Sequence, residues 1–306
     1  MMQEAIAAHL PPTPALPTAS EAFAAFHQRE QALSALQQML RLIADLQQHR
    51  GSSMAILAGN EDFESRLQVL QARIRQRLNY LDRLREGEYE GFIRTDTWQA
   101  ILQEWQTVSE GWRDDTVLPN FELHSHLVER LLQLFRAGGK WLFESDTRFQ
   151  SAAVKCLDIA VLAFCFQTLP QTIELLAKLR GLTTHAAAMG VCDNEHRVRI
   201  DYLLQLVRRE QVNLRTFTAQ RPVKVLRLIP GLLDTQLNDV VFTQWTQRIS
   251  LEVLQKNKLQ AALTDELFSQ GTEIIDGYFA INQQSLAYVR LSLEDALEEV
   301  LNQMVK

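Results

Sequence analysis

The chain has 306 residues, 46% hydrophobic and 22% charged, with a formal net charge of −6. That length is enough for a well-buried core in one large or two ordinary domains. The acidic balance argues against a general nucleic-acid binder, which carries a basic face, and 12 glycines and 8 prolines are too few turn residues for a mainly-β protein.

Pro11, Pro12, Pro14 and Pro17 mark residues 1–19 as an extended leader. It lacks the basic region and apolar run of a secretory signal. Ser20 is a plausible N-cap for a first long helix on which Phe26, Leu33, Leu36, Leu40 and Ile43 recur at helical steps. That stripe continues through Leu46 to Arg50, and Gly59-Asn60 ends the element.

A second helix is expected over 61–86, with Leu67, Leu70, Ile74, Leu78 and Leu81 inward. Gly87 to Thr95 reads as a turn. Trp98, Ile101, Trp105, Val108 and Trp112 form a heptad whose three tryptophans make one aromatic ridge, read as core. A helix from Phe121 to about Phe143 follows, with a break or kink expected at Gly138-Gly139 and a cap at Ser145-Asp146. The next apolar stretch, Val154 to Leu169, meets Pro170, where a kink or junction is expected. Ile173, Leu176 and Leu179 lead to Arg180-Gly181, and Gly190 ends that element. Asn194 to Phe217 reads as helix and 220–235 as the longest ordered connection. Two more helices are expected, roughly 236–268 and 270–303, the last acidic and amphipathic. Long helices and short loops give an all-α fold of two antiparallel four-helix bundles, with long helices that they can share. The expected division is a leader over 1–19, a helical domain over 20–270 and a C-terminal amphipathic helix over 271–306.

Other chemistry has little support. Cys156, Cys165 and Cys192 show no CxxC pairing, so reduced structural thiols are expected. No metal spacing, phosphate loop or nucleophile elbow is present, so neither a metal, a cofactor nor an enzyme activity is expected. His124 and His126 are two apart on a helix and face away from each other, and Glu195-His196 reads as capping. No stretch of 18 apolar residues is found, so a cytoplasmic protein with no membrane span is expected.

The unusual feature is Arg50-Gly51-Ser52-Ser53 set against Arg180-Gly181-Leu182-Thr183. Each arginine lies seven residues after an isoleucine and four after a leucine, on the stripe that faces the core. Each motif is followed by alanines and a helix-ending glycine, which makes a weak internal repeat of about 130 residues. A buried arginine is costly unless its charge is neutralised and its donors paired. Glycine inside a helix costs about 0.5–1 kcal/mol relative to alanine, and in return lets a backbone or a ligand approach. Two explanations remain open on these residues: internal salt bridges, as in a helical adaptor without a ligand, or a site for a small planar anion, which a guanidinium fork matches.

At these positions the chain resembles the NIT (nitrate- and nitrite-sensing) domain family. The resemblance rests on the glutamine-rich end of the first long helix with Arg50-Gly51, on the segment Asn120 to Asp146, and on Arg180-Gly181, and covers roughly residues 30–270. It implies a sensor of two four-helix bundles holding nitrate or nitrite between arginines. Arg50 and Arg180 match the two Arg-Gly positions, and Arg248 is the candidate for a third arginine from a later helix. Gly51, Ser53, Gly181 and Thr184 are the expected supporting residues. His49 stands where a charged residue is common in the family. Family members usually carry an output module, and little sequence follows the resembling region here. The expected partner is therefore a regulatory protein in trans, with no direct nucleic-acid contact and with a homodimer left open.

Overall fold

The computed structural model describes residues 18–86, 92–144, 158–260 and 262–305, and among them it is helical without strands. Residues 1–17 of the leader, the Ser145-Asp146 cap, Val154, Cys156 and Leu157 lie outside the described residues, as does part of the expected Gly87–Thr95 turn.

Helix α1 (Ala19–Leu57) is capped by Thr18 rather than Ser20: Thr18 accepts from the Glu21 backbone N–H while the Glu21 carboxylate accepts from the Thr18 backbone N–H, a reciprocal capping box. Gly59 ends the helix at φ +91°, a left-handed conformation that costs glycine nothing. Three residues of 3-10 helix lead into α2 (Glu64–Glu86). Helix α3 (Thr95–Gly111) and the 3-10 turn after it (Trp112–Asp114) carry the tryptophan ridge, with Trp98, Trp105 and Trp112 all buried, as expected of core. Helix α4 spans Val117–Glu144.

The expected kink at Gly138-Gly139 does not form; α4 runs through both. The glycines serve close packing instead. A Cβ on Gly138 would fall 2.7 Å from Leu36 of α1 and from the Phe92 ring, and one on Gly139 would collide with the Phe166 ring.

Helix α5 (Ile159–Ala188) contains the junction expected at Pro170, in the form of a π turn over Phe164–Thr168. In this wider register the Leu169 N–H bonds the Phe164 carbonyl, so the Cys165 carbonyl would look to residue 170, and proline has no N–H. Asn282 supplies the missing donor, its Nδ2 lying 3.2 Å from the Cys165 carbonyl. Gly190 ends the element at φ +69°.

Helix α6 (Asn194–Ala219) follows. The expected connection over 220–235 instead holds a short helix, α7 (Val223–Leu228), and the start of α8 (Gly231–Arg248), which Pro230 opens. A π segment, Ile249–Leu254, ends α8. The expected break near 268–270 is absent. The chain turns at 255–260, and Ala262–Val305 is one 44-residue helix, α9, about 66 Å long at 1.5 Å per residue. Residues 271–305 are therefore the continuation of that helix.

Helices α1 to α4 pack on one another, and α5, α6, α8 and α9 form a second group; α1 meets α5 and α9 between them. Side-chain pairs give the directions. Ser53–Asn120 and Arg50–Ser125 set α1 antiparallel to α4. Arg180–Thr272 and Asn282–Cys165 set α5 antiparallel to α9. Across the interface, Arg50 meets Glu174 and Gly181 faces Met54, so α1 and α5 run parallel.

Helix α5 bears on the expectation that no segment spans a membrane. By length and hydropathy it passes as a span, although it lacks an unbroken apolar run; yet 56% of that window is buried inside the fold, and it carries Glu174 and Arg180 between the two groups.

Replacing Gly139 with Ala should lower stability by about 1–3 kcal/mol through overpacking against Phe166. A urea midpoint shift at unchanged slope checks this, because it separates lost stability from a changed denatured state.

Candidate site between the two helical groups

The two Arg-Gly arginines lie in the same interface but in different surroundings. Arg50 is 1% exposed. Its Nη1 donates to Glu174 Oε1 at 2.6 Å and its Nη2 to Oε2 at 3.2 Å. Glu174 is 0% exposed and also accepts from Gln47 Nε2 at 2.9 Å. Arg50 Nη1 donates as well to Ser125 Oγ on α4 at 2.9 Å. For Arg50 the internal salt bridge is therefore what forms, a bidentate charge-assisted pair.

Arg180 is 7% exposed, and its Nη1 donates to Thr272 Oγ1 at 2.9 Å. Among the described residues no carboxylate oxygen comes within ion-pair distance of it. Burial, and then the field of Arg50, push its pKa down to about 10, while Asp276 pulls the other way. Its guanidinium lies over the Phe268 ring, 5.2 Å from the centroid, and Arg66 lies near the same ring at 5.9 Å.

The repeat explains the difference. Glu174 sits six residues before Arg180; the residue six before Arg50 is Ala44. In a pair of parallel helices related by the repeat, Glu174 reaches Arg50, and Ala44 occupies the matching place beside Arg180. Ala44 and Arg180 line a cavity of about 490 Å³ between α1, α2, α5 and α9, together with Arg41, Arg66, Gln48 and Asp276. A partly buried cation without a paired carboxylate, facing a cavity with two further arginines, is suited to an anion of one or two charges.

Helix α9 makes room for Arg180. A Cβ on Gly271 would lie 3.0 Å from Arg180 Cγ and 3.0 Å from Trp245 Cζ2. Gly271, Thr272 and Asp276 were missed on the sequence because a break was expected just before them; a glycine flanked by helix formers was the available signal.

Arg248 does not reach the cavity. It is 29% exposed and pairs with Glu266 and, more loosely at 4.0 Å, with Glu252. The additional arginines come from α1 and α2 instead. Of the supporting residues, Ser53 is buried, its hydroxyl shared between the Arg50 carbonyl and Asn120 Oδ1. Gly51, Gly181 and Thr184 line a narrower pocket that Arg180 also borders.

His49 and His124 form a buried relay. The His124 Nδ1–H donates to the Asn120 carbonyl at 2.8 Å, so its Nε2 accepts from the His49 Nδ1–H at 2.7 Å. Burial holds His49 at about 4, and burial with the fields of His49 and Arg50 puts His124 well below its ordinary value. Both are neutral. Position 49 thus adds no charge beside Arg50.

No family model matches the chain, and no curated protein matches it. Among solved structures, the fold is similar to the structure of the NasR transcription antiterminator, with a TM-score of 0.65 and 14% identity over 90% of this chain and 72% of that one. At that identity the likeness is one of fold.

Two outcomes are expected. Arg50→Ala should cost up to about 3–5 kcal/mol in chemical denaturation, because it leaves the buried Glu174 carboxylate with only Gln47 and the longer Lys178 contact at 3.7 Å. Lowering the pH should also destabilise the fold. Unfolded His49 titrates near 6.5 and folded His49 at about 4, so between these the unfolded chain binds more protons. The stability is intact above pH 6.5 and falls toward pH 4; His49→Gln should flatten that slope, measured as the denaturation free energy against pH.

Proposed function

We propose that this chain is a sensor for a small oxyanion of the nitrate or nitrite class, held at Arg180 between the two helical groups. The observation that carries this reading is the buried Arg180 guanidinium, which has no carboxylate partner among the described residues and faces a cavity shared with Arg41 and Arg66. The resemblance of the Arg-Gly segments to the NIT family supports the ligand class. The fold it shares with a transcription antiterminator supports a regulatory role.

In this reading Arg50 acts from behind its salt bridge: its field raises the cost of the Arg180 charge, which an incoming anion relieves. Arg248 has no part, since Glu266 occupies it. The anion draws α1, α2, α5 and α9 around one charge. It shifts the arrangement only by its different affinity for the two states. The change is read by a partner in trans in the cytoplasm, and no catalytic step is assigned.

Thermal unfolding with nitrate, nitrite, chloride and acetate tests this. A ligand at about 100 times its dissociation constant adds roughly 2.7 kcal/mol. Nitrate or nitrite should raise the midpoint well beyond chloride, and Arg180→Ala should abolish the rise while leaving the ligand-free protein as stable or more so. An equal shift with all four salts would sink the sensor reading in favour of a helical adaptor.

A further inference from the structure

Beyond Arg180, one to two turns further along α1 and α5, lies a second pocket of about 130 Å³. That is room for about four groups the size of water, each about 30 Å³. Its walls are mostly apolar, with Met54, Ala55, Phe63 and Phe268 among them. Two of the lining residues carry buried polar atoms, Thr184 Oγ1 and His185 Nδ1, that have no hydrogen-bond partner. His185 is only 9% exposed. Buried polar atoms are nearly always paired, and one left over calls for an absent partner. Thr184 stands one helical turn after Arg180, on the same face. Burial keeps the His185 ring neutral, so it offers one N–H.

The helices are bare where they face this space. A Cβ on Gly51 would meet nothing within 4 Å, and one on Gly181 would touch only the Met54 side chain, at 3.7 Å and beyond. The glycines of both Arg-Gly motifs therefore keep volume open rather than relieve a backbone contact.

We infer that this narrow pocket is where the anion finally sits, with Arg180, Thr184 and His185 donating to its oxygens and the apolar walls limiting it to three or four heavy atoms. The inference rests on the anion-sensor reading. It makes the wider cavity, with Arg41 and Arg66, a basic entrance. It also gives Gly51, Gly181 and Thr184 one shared purpose: to select a small trigonal or bent oxyanion over a carboxylate with an alkyl tail.

Calorimetric titration of the full chain with nitrate, nitrite, acetate and butyrate tests it, using Arg180→Ala, Gly51→Leu and Thr184→Val. Nitrate or nitrite should bind and butyrate should not. Thr184→Val, which keeps the shape, should weaken binding about tenfold by removing one donor to a charged ligand. Gly51→Leu should fill the pocket and abolish binding, with a ligand-free unfolding midpoint near that of the parent. If nitrate binds Gly51→Leu and Thr184→Val like the parent but not Arg180→Ala, the anion sits in the wider cavity and the narrow seat is wrong, while the sensor reading stands. Butyrate binding as tightly as nitrate overturns the size limit. No binding of any anion to the parent removes both. If Gly51→Leu fails to fold, Thr184→Val decides alone.

Discussion

The Arg50–Glu174 ion pair is the constraint on which the rest of the molecule depends. It joins α1 of one group to α5 of the other, and both partners are out of water. Such a pair adds little net stability compared with an apolar contact, but it tolerates little misalignment, because the Arg50 charge alone would be buried without a counterpart. Glu174 would keep Gln47 and, at 3.7 Å, Lys178, but Arg50 has no other carboxylate among the described residues, and the pair fixes the height of α1 against α5. With that height fixed, Met54 comes opposite Gly181, and Arg180 faces the α9 residues Gly271 and Thr272.

The same pair creates an asymmetry out of a repeat. Two similar motifs on parallel helices would give two equivalent arginines if every neighbour were also repeated. Glutamate at 174 and alanine at 44 break the equivalence. One guanidinium is consumed by structure, and the other is left desolvated, close to a like charge, with a hydroxyl as its hydrogen-bond partner. A charge held at that cost is a ready receptor for an anion, because binding removes a penalty as well as adding contacts.

Glycine and proline positions show how packing overrides local signals. Gly138 and Gly139 read as a helix interruption, and a helix boundary was expected just before Gly271; all three sit within continuous helix, with a neighbouring side chain where a Cβ would stand. Pro170 does disturb its helix, but the carbonyl it leaves without a donor is taken by Asn282 from more than a hundred residues away. The disturbance is absorbed as a π turn rather than a break.

Periodicity alone determined that the chain is helical, where the first three helices run, that the tryptophans form core, and that Arg50 and Arg180 lie on buried stripes. These are properties of a single helix, set by which residues share one face. Which arginine is neutralised, which helix supplies the next cation, and where α9 begins were decided only by the tertiary structure. Each depends on the height of one helix against another, and that height is set by contacts such as Arg50 with Glu174, 124 residues apart. The surroundings of Arg248 depend on the same thing: its position on its own helix was plain, but its pairing with Glu266 on the neighbouring helix was not.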